Sequence, residues 1–286
     1  MSAAVLRARQ GEARYPVRVG AGAAAAAARL AREHDRAALV TCARVLDTPF
    51  GRRVAAALER SGSLALVHAL PDGERGKTLG GLERAAGRLL RAGATRRTLV
   101  VALGGGAVTD AAGFLAATFM RGVPWAAVPT TLLGMVDAAL GGKTAVNLSG
   151  AKNAVGAFHP PVAVLADPAA LSTLPRRELR SGFGEVLKYA LLRPELLPAA
   201  ARQAARLDAT PGLVASCAGI KLAIVARDPR EGGERKLLNL GHTFGHGVEA
   251  AGGFARYTHG ESVAIGLRFA FLLAGALGRI GPLAVA

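Results

Sequence analysis

Short apolar, β-branched runs alternate with longer helical patterns through the first half of this chain. The runs have the length of buried strands, and the stretches between them have the period of helices that cover a sheet. This alternation predicts an α/β fold with a mostly parallel, Rossmann-like sheet covered on both faces. Predicted strands span residues 15–19, 37–41, 64–69, 98–103, 126–129 and 162–165, and predicted helices include residues 51–60, 78–91 and 108–120.

The second half of the chain has a different pattern. After Leu174-Pro175 the strand signals stop, and long stretches rich in alanine, leucine and arginine follow with helical period. We therefore place a boundary at residue 173, between an α/β domain (1–173) and an all-α domain (174–286). With 286 residues the chain is long enough for two such domains.

Charge and cysteine content narrow the class of protein. The net charge is +16, yet only six of the 36 basic residues are lysine, and the arginines are spread without a basic run that includes aromatic residues. We therefore predict no nucleic-acid partner.

The sequence shows no secretory signal and no membrane span, and it has only Cys42 and Cys217, which favours the reducing cytoplasm. The rare lysines indicate positions that need a compact ammonium group.

Three loops at predicted strand ends carry groups suited to a nucleotide. The first is a triple-glycine turn between a strand and a helix, where backbone N–H groups and the helix N-terminus can approach a pyrophosphate. Its pattern is GGGxxxD, so the Rossmann fingerprint GxGxxG is absent. Each loop alone reads as a solvated turn, but together they favour a nucleotide crevice. The residues concerned are Asp72, Glu74, Lys77, Gly104, Gly105, Gly106, Asp110, Thr130 and Thr131.

A glycine-rich polar loop follows these strands. It contains Asp137, then Gly-Gly-Lys-Thr at 141–144, and Lys152-Asn153. Ammonium and amide groups among glycines suit an anionic, hydroxyl-rich ligand. The Gly-Gly-Lys-Thr segment is not a P-loop, because Asp137 stands where that motif has its first glycine.

The helical half contains a cluster of histidines. Arg235, Asn239, His242 and His246 are spaced four, three and four residues apart, which predicts that they share one face of a single helix. His259 opens a further helical stretch. A merely solvated face in this chain would carry arginine and glutamate, so the cluster favours function over a structural role.

Two metal-ligand sets are compatible with these positions. Glu185 with two of the histidines would form a catalytic Zn²⁺ site with an open coordination position. His242 and His246 form an i, i+4 pair as in zincins, but the segment HTFGH lacks the glutamate of HExxH. Spacing alone does not choose between the two sets.

Taken together, the motifs resemble the 3-dehydroquinate synthase family of sugar-phosphate cyclases. They occur in the family's order and spacing over most of the chain. They are Asp-Gly-Glu-Arg-Gly-Lys (72–77), Gly-Gly-Gly-Ala-Val-Thr-Asp (104–110), Pro-Thr-Thr-Leu-Leu (129–133), Gly-Gly-Lys-Thr (141–144), Lys-Asn-x-x-Gly-x-Phe (152–158), Gly-x-x-Glu-x-x-Lys (182–188), Asn-Leu-Gly-His-Thr-Phe-Gly-His (239–246) and His-Gly-Glu-x-Val-Ala-Ile-Gly (259–266).

The resemblance implies a cleft between the two domains that binds NAD, a divalent metal (Zn²⁺, with Co²⁺ possible) and a sugar phosphate. It implies that Glu185, His242 and His259 bind the metal and that His246 is left for the substrate. For NAD it adds Lys143, Lys152 and Thr173 to the loop residues above. The implied substrate contacts are Asp137, Lys143, Asn153, Lys188, Lys221, Glu231, Arg235, Asn239 and His246. Arg121 would reach the substrate phosphate in the neighbouring subunit of a homodimer.

The implied reaction converts 3-deoxy-arabino-heptulosonate 7-phosphate to 3-dehydroquinate and phosphate in the shikimate pathway. It combines a transient oxidation by NAD⁺, β-elimination of phosphate, re-reduction and an intramolecular aldol closure. Family members continue beyond the point corresponding to Ala286 through further helices, one of which carries an active-site lysine. The alternatives are a sister sugar-phosphate cyclase, a metal-dependent polyol dehydrogenase, and a shortened, inactive NAD-binding remnant.

Overall fold

The protein is described by a computed structural model over residues 3–149 and 151–281. Its strands are β1 (Ala4–Gln10), β2 (Ala13–Val19), β3 (Arg36–Cys42), β4 (Leu64–Leu70), β5 (Thr98–Gly104), β6 (Trp125–Pro129), β7 (Lys143–Leu148), β8 (Ala151–Phe158) and β9 (Ala163–Ala166). Seven of them form one sheet in the order β1-β2-β9-β6-β5-β3-β4, parallel except for the β1–β2 pair, and β7 and β8 form a separate antiparallel hairpin.

The central strand β5 shows why this sheet is buried on both faces. All seven of its residues are buried, and their sequence, Thr-Leu-Val-Val-Ala-Leu-Gly, has no polar alternation. A parallel strand covered by helices on both sides reads as such a continuous apolar run. The predicted α/β class and all six predicted strands are confirmed.

Helices cover this sheet, and two of them begin at a capping threonine. Thr48 and Thr78 accept hydrogen bonds from the backbone N–H groups of Gly51 (2.9 Å) and Gly81 (3.0 Å), each three residues later, as N-caps do. The helices of this half are α1 (Ala26–Arg32), α2 (Ala43–Leu46), α3 (Pro49–Arg60), α4 (Leu79–Arg91) and α5 (Gly106–Thr118).

The order of the strands opens a crevice between β3 and β5. From β3 the chain crosses to β4 on one side, and it then returns to the other side of β3 at β5. Connections that leave two neighbouring strands in opposite directions diverge at the carboxyl ends of those strands, and open α/β sheets bind ligands at such switch points. Here the two ends are Cys42 and Gly104.

The second half is helical, as predicted. Within the described residues no strand follows Ala166, and a short 3₁₀ turn (Pro168–Thr173) leads to the first long helix. The helices are α6 (Arg176–Leu192), α7 (Leu197–Arg206), α8 (Pro211–Arg227), α9 (His242–Ala251) and α10 (His259–Ala276). Because α8 packs against β1, the helical part contacts the sheet directly. The exact boundary at residue 173 stays a prediction.

Two elements were absent from the sequence prediction. Strand β1 is an edge strand whose arginines alternate with small apolar residues, and it is held by antiparallel pairing with β2. The hairpin β7–β8 occupies the segment predicted as a polar loop. It forms because β7 packs closely on α5, where a Cβ on Gly113 would lie 2.5 Å from Thr144 Cγ2.

The prediction of one continuous helix through residues 235–246 was wrong. Arg235 and Asn239 lie in a 3₁₀ turn (Glu234–Asn239), and α9 begins only at His242. The interruption is Gly241, whose φ of 77° is left-handed. A Cβ there would lie 2.8 Å from Leu267 Cγ, so the chain turns where α10 passes closest.

Among the described residues, no helix is both long and apolar enough to span a membrane.

Candidate active site

A cleft of about 1270 Å³ lies between the carboxyl ends of the central strands and the helical half. Most of the residues predicted from sequence to act in the site line it, although they are spread over much of the chain. They are Asp72, Glu74, Lys77, Gly105, Gly106, Asp110, Thr130, Thr131, Asp137, Lys143, Lys152, Asn153, Lys188, Lys221, Glu231, Arg235, Asn239, His242, His246 and His259.

Four predicted site residues do not line this cleft. Gly104 ends β5, and Glu185 is fully buried behind His242 and His259. Thr173 is exposed at the end of a 3₁₀ turn, while the two residues after it do line the cleft. Arg121 is exposed at the far end of α5 with a φ of 68°, away from the cleft of its own chain.

At the triple-glycine turn, neighbouring residues pack closely against the backbone. Gly105 is the N-cap of α5, and a Cβ there would lie 2.9 Å from Thr131 Cγ2. A Cβ on Gly106 would lie 3.2 Å from Ala138. The turn therefore presents the N-terminus of α5 to the cleft without side chains, which is the arrangement that binds anions.

Lys77 connects its own loop on the nucleotide side to helix α5 and strand β8. Its buried ammonium group donates to Asp110 Oδ2 (2.7 Å) and Asn153 Oδ1 (2.5 Å). Burial raises the pKa of Asp110, and Lys77 opposes that shift. Asn147, whose amide donates to Glu74 Oε2 (2.7 Å), extends the same network. The loops of this wall are thus held by internal ion pairs and hydrogen bonds.

On the opposite wall of the cleft, Asp137 binds the ammonium groups of two lysines. It lies in a π-helical turn (Gly134–Ala138), a local widening that is frequent at functional sites. Its Oδ1 accepts from Lys221 Nζ (2.9 Å) and Lys188 Nζ (3.3 Å). Tyr189 also donates its hydroxyl to Oδ1. Burial opposes ionisation of Asp137, but the two lysines outweigh it and hold its pKa well below the ordinary value.

Glu185, His242 and His259 meet at the base of the cleft. Glu185 Oε1 lies 3.4 Å from His242 Nε2 and 3.2 Å from His259 Nε2, and Lys188 forms an ion pair with Oε2. One ligand atom from each of the three side chains lies within 4.8 Å of the others. The structure therefore brings together the set of one carboxylate and two imidazoles, with a third histidine, His246, outside it.

Glycine contacts between helices make this convergence possible. On α6, a Cβ on Gly184 would lie 2.2 Å from the carbonyl oxygen of Gly260 on α10. A Cβ on Gly260 would in turn lie 1.7 Å from the carbonyl oxygen of Ser181. The two helices therefore touch backbone to backbone beside Glu185 and His259, and side chains at these positions would hold Glu185 and His259 apart.

The chemistry of this cluster fits a divalent cation. Both oxygens of Glu185 are buried, and neither makes a hydrogen bond of normal geometry despite the nitrogen atoms around them. Burial alone would lower the pKa of His259, but Glu185 and Glu249 outweigh it and raise that pKa to about 9. The carboxylates thus draw positive charge to this ring, and a carboxylate with two imidazoles is a donor set that Zn²⁺ accepts.

The β7–β8 hairpin carries two lysines toward the helical half. Lys143 pairs with Glu231, which also accepts from Asn239 Nδ2 (2.8 Å). Lys152 pairs with Glu249 on α9 at 3.1 Å. These ion pairs place both lysines in the cleft between the two halves of the chain.

Arg235 is buried beneath the hairpin. Only 1 % of it is exposed, and its guanidinium donates to the carbonyl oxygens of Gly141 (2.9 Å) and Pro229 (2.7 Å). Two of its N–H groups therefore bind backbone carbonyl oxygens of the loops that shape the site.

Sequence reasoning missed Tyr189 and Glu249. Tyr189 follows Lys188 directly, and a tyrosine inside an otherwise apolar helix face is a weak signal on its own. Glu249 lies seven residues after His242, two turns further along the same helix, which was the available signal. Its partners Lys152 and His259 come from other elements, so only the fold identifies them.

Comparison with known proteins agrees with this geometry. A family model described as 3-dehydroquinate synthase N-terminal matches residues 67–181, and one described as 3-dehydroquinate synthase C-terminal matches residues 182–285. A 3-dehydroquinate synthase of Symbiobacterium thermophilum is 46% identical over 267 residues, which are 90% of this chain and 74% of that protein.

Solved structures give the same fold. A 2-deoxy-scyllo-inosose synthase complexed with carbaglucose-6-phosphate, NAD⁺ and Co²⁺ superposes with a TM-score of 0.84 at 29% identity, over 99% of this chain and 80% of that one. A 2-epi-5-epi-valiolone synthase from Streptomyces hygroscopicus with NAD⁺ and Zn²⁺ bound has a TM-score of 0.84 at 28% identity, over 97% and 79%. On the family models and the sequence identity, the chain belongs to the 3-dehydroquinate synthase family.

Proposed function

We propose that this chain is a 3-dehydroquinate synthase, a carbon–oxygen lyase that converts 3-deoxy-arabino-heptulosonate 7-phosphate to 3-dehydroquinate and phosphate. One observation carries the proposal: a carboxylate–imidazole cluster and a cluster of buried lysines share the same cleft, next to a glycine turn suited to a dinucleotide. Family membership supplies the reaction.

The proposed cofactors are NAD and a divalent metal, Zn²⁺ or Co²⁺, as in the two solved relatives. When bound, NAD⁺ supplies a reversible hydride acceptor and the metal polarises the substrate hydroxyls. Glu185, His242 and His259 are the proposed metal ligands. For NAD we propose the glycine turn, the loops bearing Asp72 and Thr130, and the other nucleotide residues predicted above.

The chain's own residues hold the substrate and move its protons. Lys188 and Lys221 present ammonium groups fixed by Asp137, so an anionic substrate meets cations that are already oriented. His246 lines the cleft, with its ring 5.4 Å from that of His242, and partial desolvation in the cleft together with His259 lowers its pKa. A neutral imidazole at this position can accept a proton from a substrate carbon or hydroxyl.

A turnover assay separates the candidate functions. Purified protein is incubated with the heptulosonate phosphate, NAD⁺ and Zn²⁺, while phosphate and NADH are measured. Phosphate release without net NADH supports the synthase, and net NADH identifies a dehydrogenase. Turnover only with another heptose or hexose phosphate identifies a sister cyclase. NAD binding without turnover identifies an inactive remnant.

A further inference from the structure

Glu249 is a buried carboxylate that no step above uses. It lies on α9 and is 4 % exposed. Its Oε2 lies 3.3 Å from His259 Nδ1, and its Oε1 lies 3.1 Å from Lys152 Nζ. A buried carboxylate is costly unless it is paired, so two specific partners indicate a defined role for this side chain.

His259 is held from both sides. Its Nδ1 faces Glu249, and its Nε2 lies 3.2 Å from Glu185 Oε1. A neutral imidazole has one N–H and one lone pair, and donation of Nδ1–H to Glu249 leaves the lone pair on Nε2. That nitrogen points to the side where Glu185 and His242 converge.

A second cation at Glu249 is the competing interpretation. His246, Glu249 and His259 also offer ligand atoms within 4.8 Å of one another. However, the ammonium group of Lys152 already contacts Glu249 and lies 4.6 Å from the ring centre of Phe254. Lys152 supplies the positive charge that a second ion would bring, and it would repel that ion.

We propose that Glu249 is a positioning residue for the metal centre, which fixes the tautomer and the ring orientation of His259 from behind and is itself held by Lys152. The inference rests on the proposed metal site of Glu185, His242 and His259. It concerns metal affinity, because hydrogen-bond partners of ligating histidines set the basicity and orientation of the ligand.

Metal affinity of the full chain tests the inference independently of turnover. Protein stripped of metal is titrated with Co²⁺, followed by visible absorption, and with Zn²⁺ in competition with a chromophoric chelator. We expect one ion per chain for the wild type and about 10- to 100-fold weaker binding for Glu249→Ala. Glu249→Gln should lie between the two, because its amide oxygen still accepts from Nδ1–H but carries no charge.

Two control variants separate orientation of His259 from other effects. Glu195→Gln makes the same change at an exposed position in a distant turn and should bind metal like the wild type. Lys152→Met removes the ion pair that holds Glu249 but leaves this carboxylate facing His259, so metal binding should weaken less than in either Glu249 variant. Circular dichroism establishes that each variant is folded. If Glu249→Ala does not fold, the comparison of metal affinity uses Glu249→Gln instead.

The outcomes distinguish this inference from the proposed function. Wild-type binding with Glu249→Ala and Glu249→Gln within twofold of it overturns the positioning role alone. Equal weakening by Lys152→Met and Glu249→Gln, or two ions per wild-type chain, also overturns it. A wild type that binds no metal overturns the metal site of the proposed function, and the inference with it.

Discussion

At the scale of single residues, Asp137 determines the charge balance of the cleft. Lys188 and Lys221 are nearly inaccessible to solvent, and both approach the same carboxylate oxygen. Ammonium groups buried in this way are stable only while their counter-charge is present. The lysines that an anionic substrate would bind are therefore also part of the protein's stability.

Asp137→Asn should destabilise the protein strongly. The amide keeps the shape of the side chain but removes the negative charge, and the loss of one partner from a buried ion pair costs about 3–5 kcal/mol. Urea unfolding measures the change. Asp35→Asn, at an exposed ion pair with Arg97, is the matched control and should leave the midpoint unchanged. Equal midpoints for wild type and Asp137→Asn would contradict the expectation.

The three histidines should respond differently to replacement by alanine. His242→Ala and His259→Ala should lose bound zinc, because their Nε2 atoms face Glu185. His246→Ala should keep zinc and lose turnover, because its ring lies outside that group. Metal analysis of each purified variant, with a turnover assay beside it, tests this assignment. Equal loss of zinc in all three variants would refute it.

The sequence motifs predicted which residues belong to the site. They did not predict which of those residues contact one another. The sequence marked Glu185, Lys188 and the histidines as site residues. In the fold Lys188 and the histidines line one cleft, and Glu185 is buried directly behind His242 and His259. The sequence left two metal-ligand sets open, because helical spacing places His242 near His246 but says nothing of α6. Only the crossing of α6 with α10 brings Glu185 to His259.

At the scale of elements, glycine contacts determine the geometry of the proposed metal site. Gly260→Ala should push α10 away from Ser181 on α6, because a Cβ there would lie 1.7 Å from a backbone oxygen. We expect a loss of about 1–3 kcal/mol in stability, together with weaker metal binding. Gly219→Ala on α8, where a Cβ meets nothing within 4 Å, should leave metal binding unchanged. Unfolding and metal titration of both variants measure the difference.

The N-terminus of α10 should show a pH-dependent contribution to stability. Arg177 lowers the pKa of Glu261 from 4.5 to about 2. Since this pKa is depressed in the folded state, the contribution is present above pH 4.5 and is lost as the pH falls toward 2.

Glu261→Gln should therefore be less stable than the wild type at pH 7, by about 0.5–1 kcal/mol because solvent screens this partly exposed pair. The difference should shrink below pH 4.5. Thermal unfolding at a series of pH values checks this. A difference that stays constant down to pH 3 would contradict it.

Helices and strands with a clear pattern of apolar residues were predicted from the sequence. Elements that form only through contacts with residues distant in the sequence were not. Strand β5 is a short apolar run with adjacent β-branched residues that ends in glycine, and helix α4 repeats its apolar residues with helical period. The β7–β8 hairpin has a polar, glycine-rich sequence and is specified by its packing on α5. The break at Gly241 was missed because the spacing from Arg235 to His246 fits a helix, whereas the approach of α10 requires a turn.

At the scale of the whole molecule, we propose that the chain forms a homodimer in which Arg121 serves the partner's cleft. Arg121 is exposed and lies away from its own cleft. Arg121→Ala and Lys188→Ala should each be inactive alone. Mixed and allowed to exchange subunits, they should recover about a quarter of wild-type activity, since half of the dimers are mixed and each has one complete site.

The control for this experiment mixes Lys188→Ala with Lys221→Ala, both of which damage the cleft of their own chain. That mixture should restore no activity, whether Arg121 acts in its own subunit or in its partner's, because neither cleft of a mixed dimer is complete. Recovery with the Arg121 variant alone therefore supports a shared site. Failure of both mixtures, although subunit exchange is verified, would refute the shared arrangement.

The pairing of Lys143 with Glu231 has a consequence for ligand selectivity. Lys143 already pairs with a carboxylate of its own chain, so an anionic ligand that binds this ammonium group either exchanges with Glu231 or shares it. A phosphate or carboxylate can make that exchange, because it replaces one negative charge with another. A neutral sugar of the same shape brings no negative charge to replace that of Glu231, so Lys143 stays paired with Glu231. The internal ion pair thus favours anions over their uncharged analogues at this lysine.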